Sequence, residues 1–164
     1  MRADQPAIRE AIRRCCGALR FGRPMGGTIG DDAGVASLGD IVFDCARPAS
    51  LARFWAAAMD NYRVAPYDDE ELDRLRSAGV TDVEDDPTVL VEPSDGRGPR
   101  LWFQRVPESK HGKNRVHLDL RSESVDAEVD RLMGLGARVL DDRPNLGLVV
   151  LQDPEGNEFC VLRR

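Results

Sequence analysis

The sequence predicts an α+β protein in which one order of elements, a strand, a helix and about three further strands, occurs twice. Three observations carry this expectation. Apolar residues switch between a period of two and a period of three to four along residues 38–164. Gly and Pro fall between the periodic runs rather than inside them. The two runs also superpose. Gly39–Asp44 laid on Val116–Arg121 sets Asp40 against His117, and Leu101–Val106 laid on Asn157–Leu162 sets Gln104 against Cys160.

The first 37 residues differ from the rest. Gln5 to Phe21 reads as a helix, with Ile8, Ile12, Cys15 and Leu19 on one stripe and Arg9, Arg13, Arg14 and Arg20 around it. Gly22 to Gly39 holds six glycines and one proline, the composition of a linker. The stripe suits a partner, or docking on the chain's own domain. The expected division is 1–37 as helix and linker and 38–164 as the main domain, with module one at 38–106 and module two at 114–164.

Each module is then predicted element by element. Ile41, Val42, Phe43 and Cys45 form a strand-like run. Pro48 opens a helix to about Asp60, since a proline in the first helical turn loses no intrahelical bond, and Leu51, Phe54, Trp55 and Met59 share its apolar side. Trp55 is expected in the helix-to-sheet core. Tyr62–Ala65 is a strand, and Asp68–Ala78 a helix with acids early, Arg74 and Arg76 late and Gly79 as its stop. Thr88–Val91 and Leu101–Val106 are strands joined through the turn Ser94-Asp95-Gly96. After the polar stretch Pro107–Lys113, Arg115–Leu120 alternates, with Val116, Leu118 and Leu120 on one face and His117 and Asp119 on the other. A helix from about Ser124 to Leu135 stops at Gly136. Strands follow at Arg138–Leu140, Leu146–Leu151 and Glu158–Leu162, with Asp153–Asn157 as a turn.

Composition narrows the function. The chain has 164 residues, 41% apolar and 32% charged, enough for a core. Its 23 basic and 29 acidic residues leave a formal charge of −6, a poor basis for nucleic-acid binding. The longest apolar run, Phe54 to Met59, is six residues, so no bilayer span and no secretory signal are expected, and a cytoplasmic location follows. Cys15, Cys16, Cys45 and Cys160 contain no Cys-x-x-Cys pair, which speaks against a zinc ribbon or thioredoxin-type motif. Gly26-Gly27 lacks the Lys and Ser/Thr of a phosphate loop, and no serine stands in a Gly-x-Ser-x-Gly setting.

Several segments together carry a family resemblance. They are Leu51-Ala-Arg-Phe-Trp55, Trp102-Phe-Gln-Arg-Val-Pro-Glu108, Lys113-Asn-Arg-Val-His-Leu-Asp-Leu120, Gly136-Ala137 and Asp153-Pro-Glu-Gly-Asn-Glu-Phe-Cys160. From Leu38 onward the sequence resembles the vicinal oxygen chelate superfamily, in its glyoxalase-like, bleomycin-resistance-like branch. The resemblance implies paired βαβββ modules forming curved mixed sheets around a cleft. It also implies ligands for a divalent metal on the first and last strands of each module. Those positions map to Asp40, Gln104, His117 and Cys160, with Asp40 where a His or Glu is usual and Cys160 where a Glu is usual. Asp, His and Cys donors suit zinc better than magnesium, and the other implied state is no cofactor at all.

Two residues apart on a strand, His117 and Asp119 face the same side, so Asp119 is a candidate to orient His117 as an acid–base catalyst. Trp102, Gln104 and Asp40 are candidates to bind the ligand, with Trp102 as an aromatic wall. Lys110, His111, Lys113 and Arg115 either steer an anion or form a solvated linker. The function implied is small-molecule binding, either as a lyase or isomerase acting on a small carbonyl or oxygenated compound, or as a non-catalytic, ligand-sequestering protein. A homodimer is implied by the family alone.

Overall fold

The computed structural model describes residues 36–143 and 146–164, so the predicted helix Gln5–Phe21 and most of the Gly-rich stretch lie outside the described residues. The chain divides into two units, Met1–Gly39 and Asp40–Arg164. Residues 36–39 carry no regular structure. The second unit holds both modules.

Module one runs β1 (Asp40–Cys45), α1 (Pro48–Ala58), β2 (Tyr62–Val64), α2 (Asp69–Ser77), a 3-10 turn (Val83–Asp85), β3 (Thr88–Pro93) and β4 (Arg100–Arg105). Module two runs β5 (Asp119–Ser122), α3 (Val125–Gly134), β6 (Arg138–Arg143), β7 (Leu148–Gln152) and β8 (Glu158–Arg163). Each forms a four-stranded sheet, ordered β1-β4-β3-β2 and β5-β8-β7-β6. The first and last strands of each module pair in parallel, and the remaining pairs are antiparallel. The α+β architecture of two βαβββ modules follows as predicted. Among the described residues, no helix is long and apolar enough to cross a membrane.

Helix ends obey the sequence where the sequence supplies a cap. Asp68 accepts from the backbone N–H of Glu71 at 2.9 Å and caps α2. Gly79 and Gly136, both at positive φ, stop α2 and α3. Beyond them the N–H groups of Val80 and Ala137 return to the carbonyls of Leu75 and Leu132.

Helix α1 has no side-chain cap, no acid in its first turn and no base in its last. Module two supplies both. The Glu155 carboxylate accepts from the N–H groups of Ala46 and Arg47 at 2.7 and 2.8 Å. At the other end the Arg131 guanidinium donates to the carbonyls of Ala57 and Ala58 at 2.7 and 2.8 Å, steadied by Glu128. Negative charge at the N-terminus and positive charge at the C-terminus complement the helix dipole. Glu155→Ala and Arg131→Ala are each expected to cost about 1–2 kcal/mol in urea unfolding. The double variant should lose close to the sum, because the two caps sit at opposite ends of the helix.

One core joins the modules. Ile41, Phe43, Val89, Val91, Leu101 and Phe103 face it from the first sheet. Leu118, Leu120, Val149, Leu151, Phe159 and Val161 face it from the second. Trp55 lies at the centre, as expected, with ring centroids 5.3 Å from Phe43 and 5.1 Å from Phe159. Val116 departs from expectation: it is 76% exposed. The predicted strand Arg115–Leu120 begins only at Asp119, because pairing with β8 starts where Cys160 donates its N–H to the carbonyl of Leu118.

Candidate functional site

In both sheets, alternation sends every second side chain away from the core. On the first sheet the outward side chains form three rows. Asp40 and Arg100 meet through a two-bond fork at 2.7 and 2.9 Å, and Glu92 pairs with Arg63 at 3.0 Å, so this row is charged and self-neutralised. Val42, Trp102 and Leu90 stand in register as an apolar row. The Arg100 guanidinium lies 5.9 Å from the Trp102 ring centroid, and the buried indole N–H of Trp102 has no partner among the described residues. Asp44, Gln104 and Thr88 form the third row, where the Gln104 amide donates to Asp44 at 2.7 Å.

On the second sheet His117, Asp119 and Arg121 point outward from the first strand and its lead-in, while Leu118 and Leu120 turn to the core. Glu158, Cys160 and Leu162 point outward from β8, since Phe159 and Val161 fill the core. The register sets Asp119 opposite Cys160 and Arg121 opposite Leu162, with Val150 and Leu148 next in line on β7.

His117, Asp119 and Cys160 converge at this seam, with one donor atom from each within 4.8 Å of the others. His117 Nε2 lies 3.2 Å from Asp119 Oδ1, so the same-face pair is in contact without a bridging group. The Cys160 thiol is buried. Burial pushes its pKa up, and the charge of Asp119 and a hydrogen bond to it act in the same direction, against the lowering effect of Lys113. A protonated, buried thiol is a poor nucleophile. Its value here lies in the donor set: one nitrogen, one oxygen and one sulfur.

The expected quartet is not brought together. His117 and Cys160 meet, but Asp119 completes the cluster in place of Asp40 and Gln104. Asp40 is taken up by Arg100 and Gln104 by Asp44. Four register positions separate Asp40 from Gln104, about 13 Å along the strands. The superposition explains part of this. Strand register and helix starts match Asp40 with His117, as expected, but match Trp102, not Gln104, with Cys160. The offset is two residues, which keeps the face and moves the position.

Glu158 is a site neighbour that sequence reasoning missed. The signal was its spacing, two residues before Cys160 on the same face. Its carboxylate accepts from Lys110 Nζ at 3.2 Å and from the Asn114 N–H at 3.0 Å. Burial works to raise its pKa, but these bonds hold it below the usual carboxylate range. Lys110 is therefore a strut between the 107–118 connection and β8. In the remainder of the basic cluster, Arg115 donates to the carbonyl of Lys113, and Lys113 acts on Cys160.

Two other features lie apart from this chemistry. Burial pushes the Cys45 thiol up to about 12, and it donates to the carbonyl of Gln104. A hollow of about 220 Å³ beside α2, bounded by Leu72, Leu75 and Val80, holds no site residue.

The glyoxalase-like domain family model matches residues 40–162. No curated protein sequence matches the chain. Solved structures do match in fold. A glyoxalase/bleomycin resistance protein/dioxygenase family enzyme from Burkholderia phytofirmans shares 13% identity at a TM-score of 0.56, over 78% of this chain and 98% of that one. A possible glyoxalase from Bacillus cereus shares 15% identity at 0.54, over 78% and 99%. The fosfomycin resistance protein FosX from Mesorhizobium loti shares 13% identity at 0.54, over 79% and 92%. With the paired βαβββ modules and a family model spanning both of them, the chain belongs to the glyoxalase-like domain family of the vicinal oxygen chelate superfamily.

Proposed function

We propose that this protein binds a small oxygenated molecule at the β5–β8 seam and acts on it as a lyase or isomerase, with His117, Asp119 and Cys160 holding a divalent metal. The observation that carries this reading is the convergence of those three donor atoms within 4.8 Å. The donor chemistry fits zinc, which accepts imidazole, carboxylate and thiolate, and catalytic zinc sites use three protein ligands and leave a position open. When bound, zinc supplies Lewis acidity toward a carbonyl or hydroxyl oxygen.

The chain's own residues do the rest. Asp119 positions its two neighbours, because its carboxylate meets His117 Nε2 and accepts the Cys160 thiol. Cys160 gives up its proton when it becomes a ligand. Leu148, Val150 and Leu162, half-buried beside the seam, offer an apolar wall to the body of the molecule.

A sequestering role is the second reading, favoured by the apolar row of Trp102, Val42 and Leu90 on the first sheet. Zinc titration of chelator-treated protein separates the two. About one zinc per chain is expected, with His117→Ala weakening binding by at least about tenfold. A protein that takes up no zinc, and whose ligand binding responds to Trp102→Ala but not to His117→Ala, would overturn the enzymatic reading in favour of sequestration.

A further inference from the structure

We propose that Arg121 sets the substrate class of this site: a short oxo- or hydroxy-acid, its oxygens at the His117–Asp119–Cys160 cluster and its carboxylate on the Arg121 guanidinium. The inference deepens the reading above and rests on it for the position of the oxygens.

Arg121 is two residues beyond Asp119 on β5 and on the same outward face. That spacing is about 7 Å along the strand. An arginine side chain spans such a gap, and a carbon chain of three to five atoms fills it. Among the described residues the guanidinium is steadied by one bond, from Nη1 to the carbonyl of Arg163 at 3.4 Å. A guanidinium carries five N–H donors, and Arg121 meets no carboxylate among the described residues. This sets it apart from Arg53, Arg63, Arg74, Arg76, Arg100 and Arg131, each of which is paired with an acid.

The surrounding groups favour an anion. Beside Arg121 the floor is apolar, formed by Leu162 on β8 and Leu148 on β7. Glu158 is engaged by Lys110 and Asn114, and Lys113 adds positive charge near Cys160. Asp141 stands opposite Val150, at the far edge of the sheet from β5. The net charge of −6 is thus not expressed at this seam. An arginine fork recognises a carboxylate with two parallel bonds, and an ester offers no matching charge.

The test uses the full chain, zinc-loaded and zinc-free, with 4-oxopentanoate and its methyl ester as probes in calorimetry. The acid is expected to bind at least about tenfold more tightly than the ester. Arg121→Gln should abolish that preference, leaving zinc stoichiometry and ester affinity unchanged, and Arg121→Lys should recover part of it. Equal binding of acid and ester by zinc-loaded wild type, or an acid preference that survives Arg121→Gln, overturns the inference and leaves the metal reading standing. An Arg121-dependent acid preference in a protein that takes up no zinc supports Arg121 and overturns the metal reading. Binding of neither probe overturns the inference.

Discussion

Replacing Asp153 with alanine is expected to destabilise the protein by about 3–5 kcal/mol and to lower the thermal midpoint by on the order of 10 °C. Asp153 is 2% exposed and its carboxylate accepts four bonds. Oδ1 takes the N–H groups of Glu155 and Asn157, both at 2.9 Å, and so closes the turn before β8. Oδ2 takes the Asn157 side-chain amide at 2.9 Å and the Trp55 indole N–H at 3.1 Å. The last bond crosses from module two to the buried helix of module one. Alanine leaves those donors without their acceptor, and for the Trp55 indole, in the dry interior, the unmade bond costs the full desolvation of the group. Trp55→Phe removes one of the four bonds and should cost less, about 1–2 kcal/mol.

The pH dependence has a definite sign. Burial raises the Asp153 pKa, and its hydrogen bonds to Asn157, Trp55 and Glu155 only partly offset this. A raised folded-state pKa means that folding favours the protonated carboxyl. Its contribution is fully present below the unfolded value, about 3.8, and is lost as the pH rises through the raised value. Relative to Asp153→Asn, the wild type is therefore expected to be most favoured in acid. A stability difference that is flat, or that runs the other way across that window in urea titrations, would refute this.

Phe159→Ala should cost a similar amount, about 3–5 kcal/mol, by opening a cavity where the two sheets share their core. Phe159 is fully buried, edge-on to Phe54 at 6.2 Å and to Trp55 at 5.1 Å. The aromatic chain continues through Phe43 to Phe103, stacked at 4.9 Å, on the first sheet. Because this cluster belongs to both modules, the variant should still unfold in one transition, shifted to lower denaturant. Two separated transitions would show that the modules hold together by something other than this core. Phe159→Leu keeps more of the volume and should lose less.

Residue types alone placed much of this molecule. Pro48, Gly79 and Gly136 mark helix limits through backbone geometry that any fold must respect. The alternation around His117 and Asp119 placed both on one face, and the structure joins them at 3.2 Å. The same alternation could not say how far along its strand a residue lies. A two-residue shift leaves every side chain on its proper face, so Gln104 took the place that belongs to Trp102 in the superposition. Nor does periodicity report charge pairing between strands, which removed Asp40 to Arg100 and Gln104 to Asp44.

Local pattern by itself determined the order of elements, the helix stops and the face each strand presents, because these depend on residues close together in the chain. Tertiary structure alone decided that Glu155 and Arg131 cap a helix in the other module, that Asp153 anchors Trp55, and that Asp119 completes the cluster with His117 and Cys160. In each case at least one bond partner lies tens of residues away in sequence, and only strand register and the shared core bring the two sides within reach.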